Sequence, residues 1–141
     1  MNRLYDTDYE LWLIEQRTLL KEGFLNHLDI PHLIEQLENL SAKDKSAIAV
    51  SLIIVIIHRL KYQYQPQKRT NSWLSSIAEH RDRIEFMLDA SPSLKPYLDD
   101  VWLKCYNKAR TRASIETGLP LDAFPLEPPF TLESTLNPNY L

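Results

Sequence analysis

SAKDKSAIAVSLIIVIIHRLKYQYQP, residues 41–66, decides the fold. Residues 47–57 are apolar except for Ser51. As a helix, eleven residues rise roughly 16 Å, about half the hydrocarbon core of a bilayer. Lys43, Asp44 and Lys45 precede the run, and His58, Arg59 and Lys61 follow it. A membrane span needs about 20 apolar residues, so a buried core helix is expected. The β-branched block at 53–57 would also suit a buried strand. Length decides against it: no Gly or Pro interrupts residues 42–65, and strands rarely exceed about ten residues. Ser41 is expected to cap this helix and Pro66 to end it.

Outward from that stretch, the pattern reads as helices on both sides. Residues 6–21 place Tyr9, Trp12, Leu13, Gln16, Leu19 and Leu20 near one face. Asp6 or Thr7 is expected as the cap, with Gly23 just past the end. Asp29 and Pro31 open a second helix whose buried stripe is expected to be Leu33, Ile34, Leu37 and Leu40. Its connection to Ser41 is so short that an antiparallel or sharply kinked pair is expected there. Residues 66–72 read as a loop. A helix over 73–90 follows, and another runs from near 93–96 to Thr117, stopped by Gly118. The tail, 118–141, holds five of the nine prolines but also Phe124, Phe130, Tyr140 and six leucines. Disordered tails are poor in apolar residues. This one reads as an extended strap on the bundle, with a turn of helix at 132–136 capped by Thr131.

These readings give an all-α protein: a bundle of about five helices around a central hydrophobic helix, with a Pro-rich C-terminal strap. At 141 residues one domain, 1–141, is expected. Two glycines are too few for a β-rich or Gly-loop design. The net charge of −3 sets up no global field for nucleic acid. It is unevenly spread: residues 1–40 hold three bases against eight acids, and residues 41–90 hold eight bases against five acids. The lone Cys105 forbids an internal disulfide. With a polar, acidic N-terminus it points to a cytoplasmic protein without signal peptide or membrane partner.

Three constellations bear on chemistry. Residues 58–83 hold six bases and two acids, interleaved with aromatics. Lys61, Lys68, Arg69, Trp73 and Arg81 are the candidates for phosphate and base contact, and His58, Lys61 and Arg81 for a small ribonuclease-like centre with His58 as base. The bland reading is a helix end whose carbonyls attract cations. Arg81 lies on the stripe of Leu74, Ile77, Ile84 and Leu88, where a bundle wants an apolar residue. A guanidinium there needs a carboxylate such as Glu35 or Glu38, or an anion. Glu35 and Glu38, one turn apart, are metal candidates together with His58. They lack the paired Glu-x-x-His of di-iron bundles, and a solvated helix flank explains them as well. Cys105 sits on an apolar line where an inert thiol is expected. No nucleophile elbow, phosphate loop or dinucleotide fingerprint occurs, and no cofactor is called for.

An ordered set of short motifs runs along the chain: Tyr5, Asp8, Trp12 and Gln16; Leu28-Asp29 with Leu33 to Glu38; His58-x-Leu60-Lys61 and Gln65-Pro66; Ser72-Trp73, Ile77 and Arg81; Ser91-Pro92-Ser93-Leu94; Ala109-Arg110; Glu116-Thr117-Gly118-Leu119; Phe124-Pro125 and Pro129-Phe130-Thr131-Leu132. This set resembles the bacterial, mostly cyanobacterial, domain-of-unknown-function family number 29. The resemblance implies a compact helical protein and brings no activity, substrate or cofactor. Where the family has Glu-Glu-Ile-Glu, this chain reads Glu35-Gln36-Leu37-Glu38, one carboxylate fewer. Pro128 replaces the family's Cys, which removes a thiol there.

Three functions follow in order. The first is a non-enzymatic helical interaction or regulatory module, with a protein partner (of toxin–antitoxin type, for example) or self-association. The second is a nucleic-acid binder or small ribonuclease. The third is a divalent-metal bundle.

Overall fold

A computed structural model describes residues 4–141. Residues 1–3, part of the polar N-terminus read above, lie outside the described residues. Six α-helices follow in order: α1 (Leu4–Thr7), α2 (Tyr9–Glu22), α3 (Ile30–Tyr64), α4 (Asn71–Ala90), α5 (Leu94–Thr117) and α6 (Leu132–Leu136). No strand occurs among the described residues. The all-α class and the long central helix are as expected. No helix among the described residues is long and apolar enough to cross a membrane. The chain divides into two compact units, Met1–Lys43 and Asp44–Leu141, with the boundary inside α3.

Several boundaries differ from expectation. Asp8, rather than Asp6 or Thr7, caps α2: its side chain accepts a hydrogen bond from the Leu11 N–H at 3.1 Å. Asp8 also separates α2 from the single turn α1. Gly23 ends α2 at φ 76°, where a side chain would be strained. The expected break at Ser41 is absent, and α3 runs unbroken for 35 residues. Ser and Asp cost a helix interior only about 0.5 kcal/mol each, and nothing after Pro31 removes a backbone donor until Pro66. Ser41 therefore caps nothing. At the far end α4 starts at Asn71 rather than Trp73, capped by Thr70, whose side chain accepts from the Trp73 N–H, after a 3-10 turn at Pro66–Lys68.

In Asp44–Leu141 the apolar run becomes core, as read. Ile48, Leu52, Val55, Ile56 and Leu60 of α3 are fully buried. They join Ile77 and Ile84 of α4, Leu98, Tyr106, Ala109 and Ala113 of α5, and Phe124 and Leu132 beyond it in one cluster. Gly118, at φ 74°, stops α5. The Tyr106 hydroxyl donates to the Pro125 carbonyl at 2.6 Å, and Arg110 Nε donates to the Phe124 carbonyl at 3.1 Å. Thr131 caps α6 and shares a capping box with Ser134.

In Met1–Lys43 the polar contacts run antiparallel between α2 and the start of α3. Trp12 Nε1 donates to Asp29 Oδ2 at 2.9 Å, and the Asp29 N–H donates to Gln16 Oε1 at 2.8 Å. Further along, Gln36 accepts from the Tyr9 hydroxyl and donates to that of Tyr5. Tyr5 stacks on His32, 3.8 Å between centroids. The unit is a two-helix hairpin whose polar side chains zip it together. Among its described residues only Trp12 and Gln16 are buried. The stripe expected to be buried is not: Ile34, Leu37 and Leu40 are exposed, Leu37 by 67% and Leu40 by 61%, and Leu33 is half-buried.

Candidate functional site

Two surfaces are candidates: the basic junction after the apolar run of α3, and the exposed face of the hairpin. The junction is the one that the sequence singles out.

At the junction most cations are already engaged. Lys61 Nζ lies 2.8 Å from Glu116 Oε1 on α5 and 5.7 Å from the centre of the Trp73 ring. His58, half-buried, places Nδ1 2.9 Å from the Ile54 carbonyl of its own helix, so that nitrogen carries the proton. His80 Nδ1 lies 3.4 Å from Ser51 Oγ. Burial lowers the His80 pKa, as do the charges of Arg83 and His58, against a smaller opposite effect of Glu79. Arg69 folds back on α3: its Nε donates to the Tyr62 carbonyl at 2.7 Å and its guanidinium covers the Tyr62 ring at 4.1 Å. Lys68 is exposed beside it.

Arg81 is buried, only 7% exposed, but its partners are neither Glu35 nor Glu38. Its Nε donates to the Thr135 carbonyl at 2.8 Å, and its Nη2 to the Tyr140 carbonyl at 2.6 Å. The guanidinium satisfies backbone at the end of the chain. This explains a charge on an apolar stripe: the C-terminal turn leaves carbonyls facing inward, and five N–H donors in a rigid fork suit them. Burial lowers the Arg81 pKa.

Arg59 belongs to the same arrangement, and sequence reasoning missed it. It is 5% exposed, lies 4.1 Å from the centre of the Phe130 ring, and reaches the Ser134 and Thr135 hydroxyls at 3.4 Å. Burial and the neighbouring Arg81 push its pKa down to about 10. The signal was available: Arg59 lies one turn beyond Val55 on the buried side of α3. Both arginines thus hold residues 130–140.

The junction gathers His58, Lys61 and Trp73 near α3's end, but it sets Arg81 apart among tail carbonyls. Lys68 and Arg69 remain as exposed cations. Glu35 and Glu38 are exposed, and among the described residues no group of three His, Cys, Asp or Glu side chains is placed to hold a metal ion. Cys105 is buried, and burial pushes its thiol pKa up, as expected of an unreactive thiol. A groove of about 740 Å³ between α3 and α4 is lined by Val50, Ile54, His80, Phe86 and Met87, with Glu79, Asp82 and Arg83 along it.

The hairpin is different in kind. Of nineteen exposed large hydrophobic residues among the described residues, eleven belong to Met1–Lys43. Soluble monomers scatter such residues singly. Here six of them share one side. On α2 the residues meeting α3 are Tyr9, Trp12 and Gln16; at 100° per residue, Leu13 and Leu20 lie roughly 60° round from them. On α3 the residues meeting α2 are Asp29, His32 and Gln36; Leu37 lies roughly 110° round, Ile30 roughly 130° and Ile34 roughly 170°, at the outer edge, with Leu40 nearer. Both displacements have the same sense along the chain. Because the helices are antiparallel, both open on the same side of the hairpin. Glu15 and Glu35 fall on the reverse side.

No curated protein matches this chain. No solved structure matches it either. The model of one family, Domain of unknown function DUF29, matches residues 4–141, and the chain belongs to that family.

Proposed function

We propose that the protein is a helical protein-interaction module, and that the apolar side of the α2–α3 hairpin is its binding surface. One observation carries the reading: a zipped hairpin with only Trp12 and Gln16 buried among its described residues presents Leu13, Leu20, Ile30, Leu37 and Leu40 on one side, with Ile34 at its outer edge. A helix with an apolar stripe is stable in water when something covers that stripe. Helix-in-groove recognition uses anchors at the spacing of Ile30, Ile34 and Leu37.

The test compares the wild-type chain with Ile34→Glu and Leu37→Glu. Each is offered the soluble proteins of the source cell and a differently tagged copy of itself. The reading requires at least one stoichiometric protein that the wild type retains and both variants lose. Circular dichroism must show equal helix content in all three. Retention of nothing, or of the same proteins by all three, rejects it.

A further inference from the structure

We infer that the occupant of the hairpin's apolar side is a second copy of the same hairpin, the two packing face to face as a four-helix bundle. This rests on the proposed interaction surface and names its partner. The argument begins with area. At about 200 Å² for a fully exposed large side chain, the six residues, each between 36% and 67% exposed, present on the order of 600 Å². That equals or exceeds the largest apolar patch of a typical monomer, about 300–600 Å². Tyr9 and the stem of Arg17 along the edges bring it towards the ~800 Å² per partner of a stable complex.

Shape is the second argument. Two helices cannot enclose a core, whereas four can. An identical hairpin supplies two more helices of matching length, and a two-fold axis lays apolar residues on apolar residues by construction. Charge is the third. Residues 1–40 carry five more acids than bases, which would oppose self-association if those acids lined the contact. Glu15 and Glu35 lie on the reverse side. By the same helical count Glu22 and Glu38 fall there too, and the apolar side of α2 carries one acid, Glu10, with Arg17 and Lys21, so the contact itself is not acidic.

The experiment is the mass of the purified full chain by analytical ultracentrifugation across micromolar concentrations. A dimer, twice 16.5 kDa, is expected. Leu37→Glu should weaken it at least about 100-fold, because the two-fold axis applies each substitution twice. Leu37→Ala, which adds no charge and threatens the hairpin less, should weaken it about 10-fold. Glu35→Lys, on the reverse side, should leave the dimer intact. Trp12 emission, the one tryptophan signal in the hairpin, reports that each variant is folded. A wild type that stays monomeric overturns the inference, as does a dimer indifferent to both Leu37 variants. A monomer that still retains a different protein through Ile34 and Leu37 overturns the second-copy assignment and leaves the interaction surface standing.

Discussion

The same helix serves two units in opposite ways. In Asp44–Leu141, α3 is enclosed: Ile48, Leu52, Val55, Ile56 and Leu60 have no exposed surface. In Met1–Lys43 its Ile30, Ile34, Leu37 and Leu40 are exposed, and polar contacts of Asp29 with Trp12 and Gln16 and of Gln36 with Tyr9 hold α2 instead. Both segments carry apolar residues at helical spacing. A stripe in the sequence therefore states that something covers it, not whether the cover comes from the same chain.

The largest expected effect tests this contrast directly. Leu52→Ala removes a fully buried side chain from an enclosed core and should cost about 2–5 kcal/mol in urea unfolding of the unit reported by Trp73 and Trp102. Leu37→Ala removes a side chain of the same type from the same helix. In dilute monomer it should change stability by less than ~0.5 kcal/mol. Equal costs at the two positions would break the comparison and place Leu37 in a core.

The next effect concerns how the enclosed unit secures its end. Arg81→Leu keeps the apolar stem but removes both donors, leaving the Thr135 and Tyr140 carbonyls without them. Exposing or stranding such groups costs about 1–3 kcal/mol. Amide hydrogen exchange over residues 131–137 should accelerate, while Leu52 and its neighbours keep their protection. Unchanged exchange in the tail would show that the buried face of Leu132 holds it without the guanidinium. Nothing comparable is expected in the hairpin, where Arg17 and Lys21 are exposed.

How much of this was legible follows from what each residue type can reveal. The core half of α3 was legible because eleven nearly unbroken apolar residues admit one environment. The two glycine stops were legible because a left-handed turn at a helix end favours glycine. The continuity of α3 through Ser41 was not: Ser followed by Asp44 fits a helix start and a helix interior alike, and only the neighbours decide. Arg81 was legible as an anomaly, but not its partners, because backbone carbonyls leave no trace in side-chain spacing. Arg59 was hidden among the ordinary cations of a helix end. The outward turn of Ile34, Leu37 and Leu40 was hidden for a plainer reason: periodicity gives the face and not what lies against it.

The smallest effect separates the units by pH. In the enclosed unit, His80 has a pKa below its ordinary 6.5, chiefly through burial. The unfolded chain therefore binds the proton more tightly, and stability is lost as pH falls from 6.5 towards the lower folded value. In the hairpin, burial alone would raise the Asp29 pKa, but hydrogen bonds from His32 and Trp12 and the charge of His32 outweigh it and leave it below 3.8. Its contribution is present above 3.8 and is lost as pH falls through the folded value. Acid should thus loosen the enclosed unit first, as pH falls below about 6.5. The hairpin should weaken only below about pH 4. His80→Gln should flatten the first slope, read from Trp73 and Trp102, and leave the second, read from Trp12. Asp29→Asn should do the reverse. If one substitution moved both slopes, the units would unfold as one, and the contrast between a closed core and an open face would have to be sought in their surfaces rather than in their stabilities.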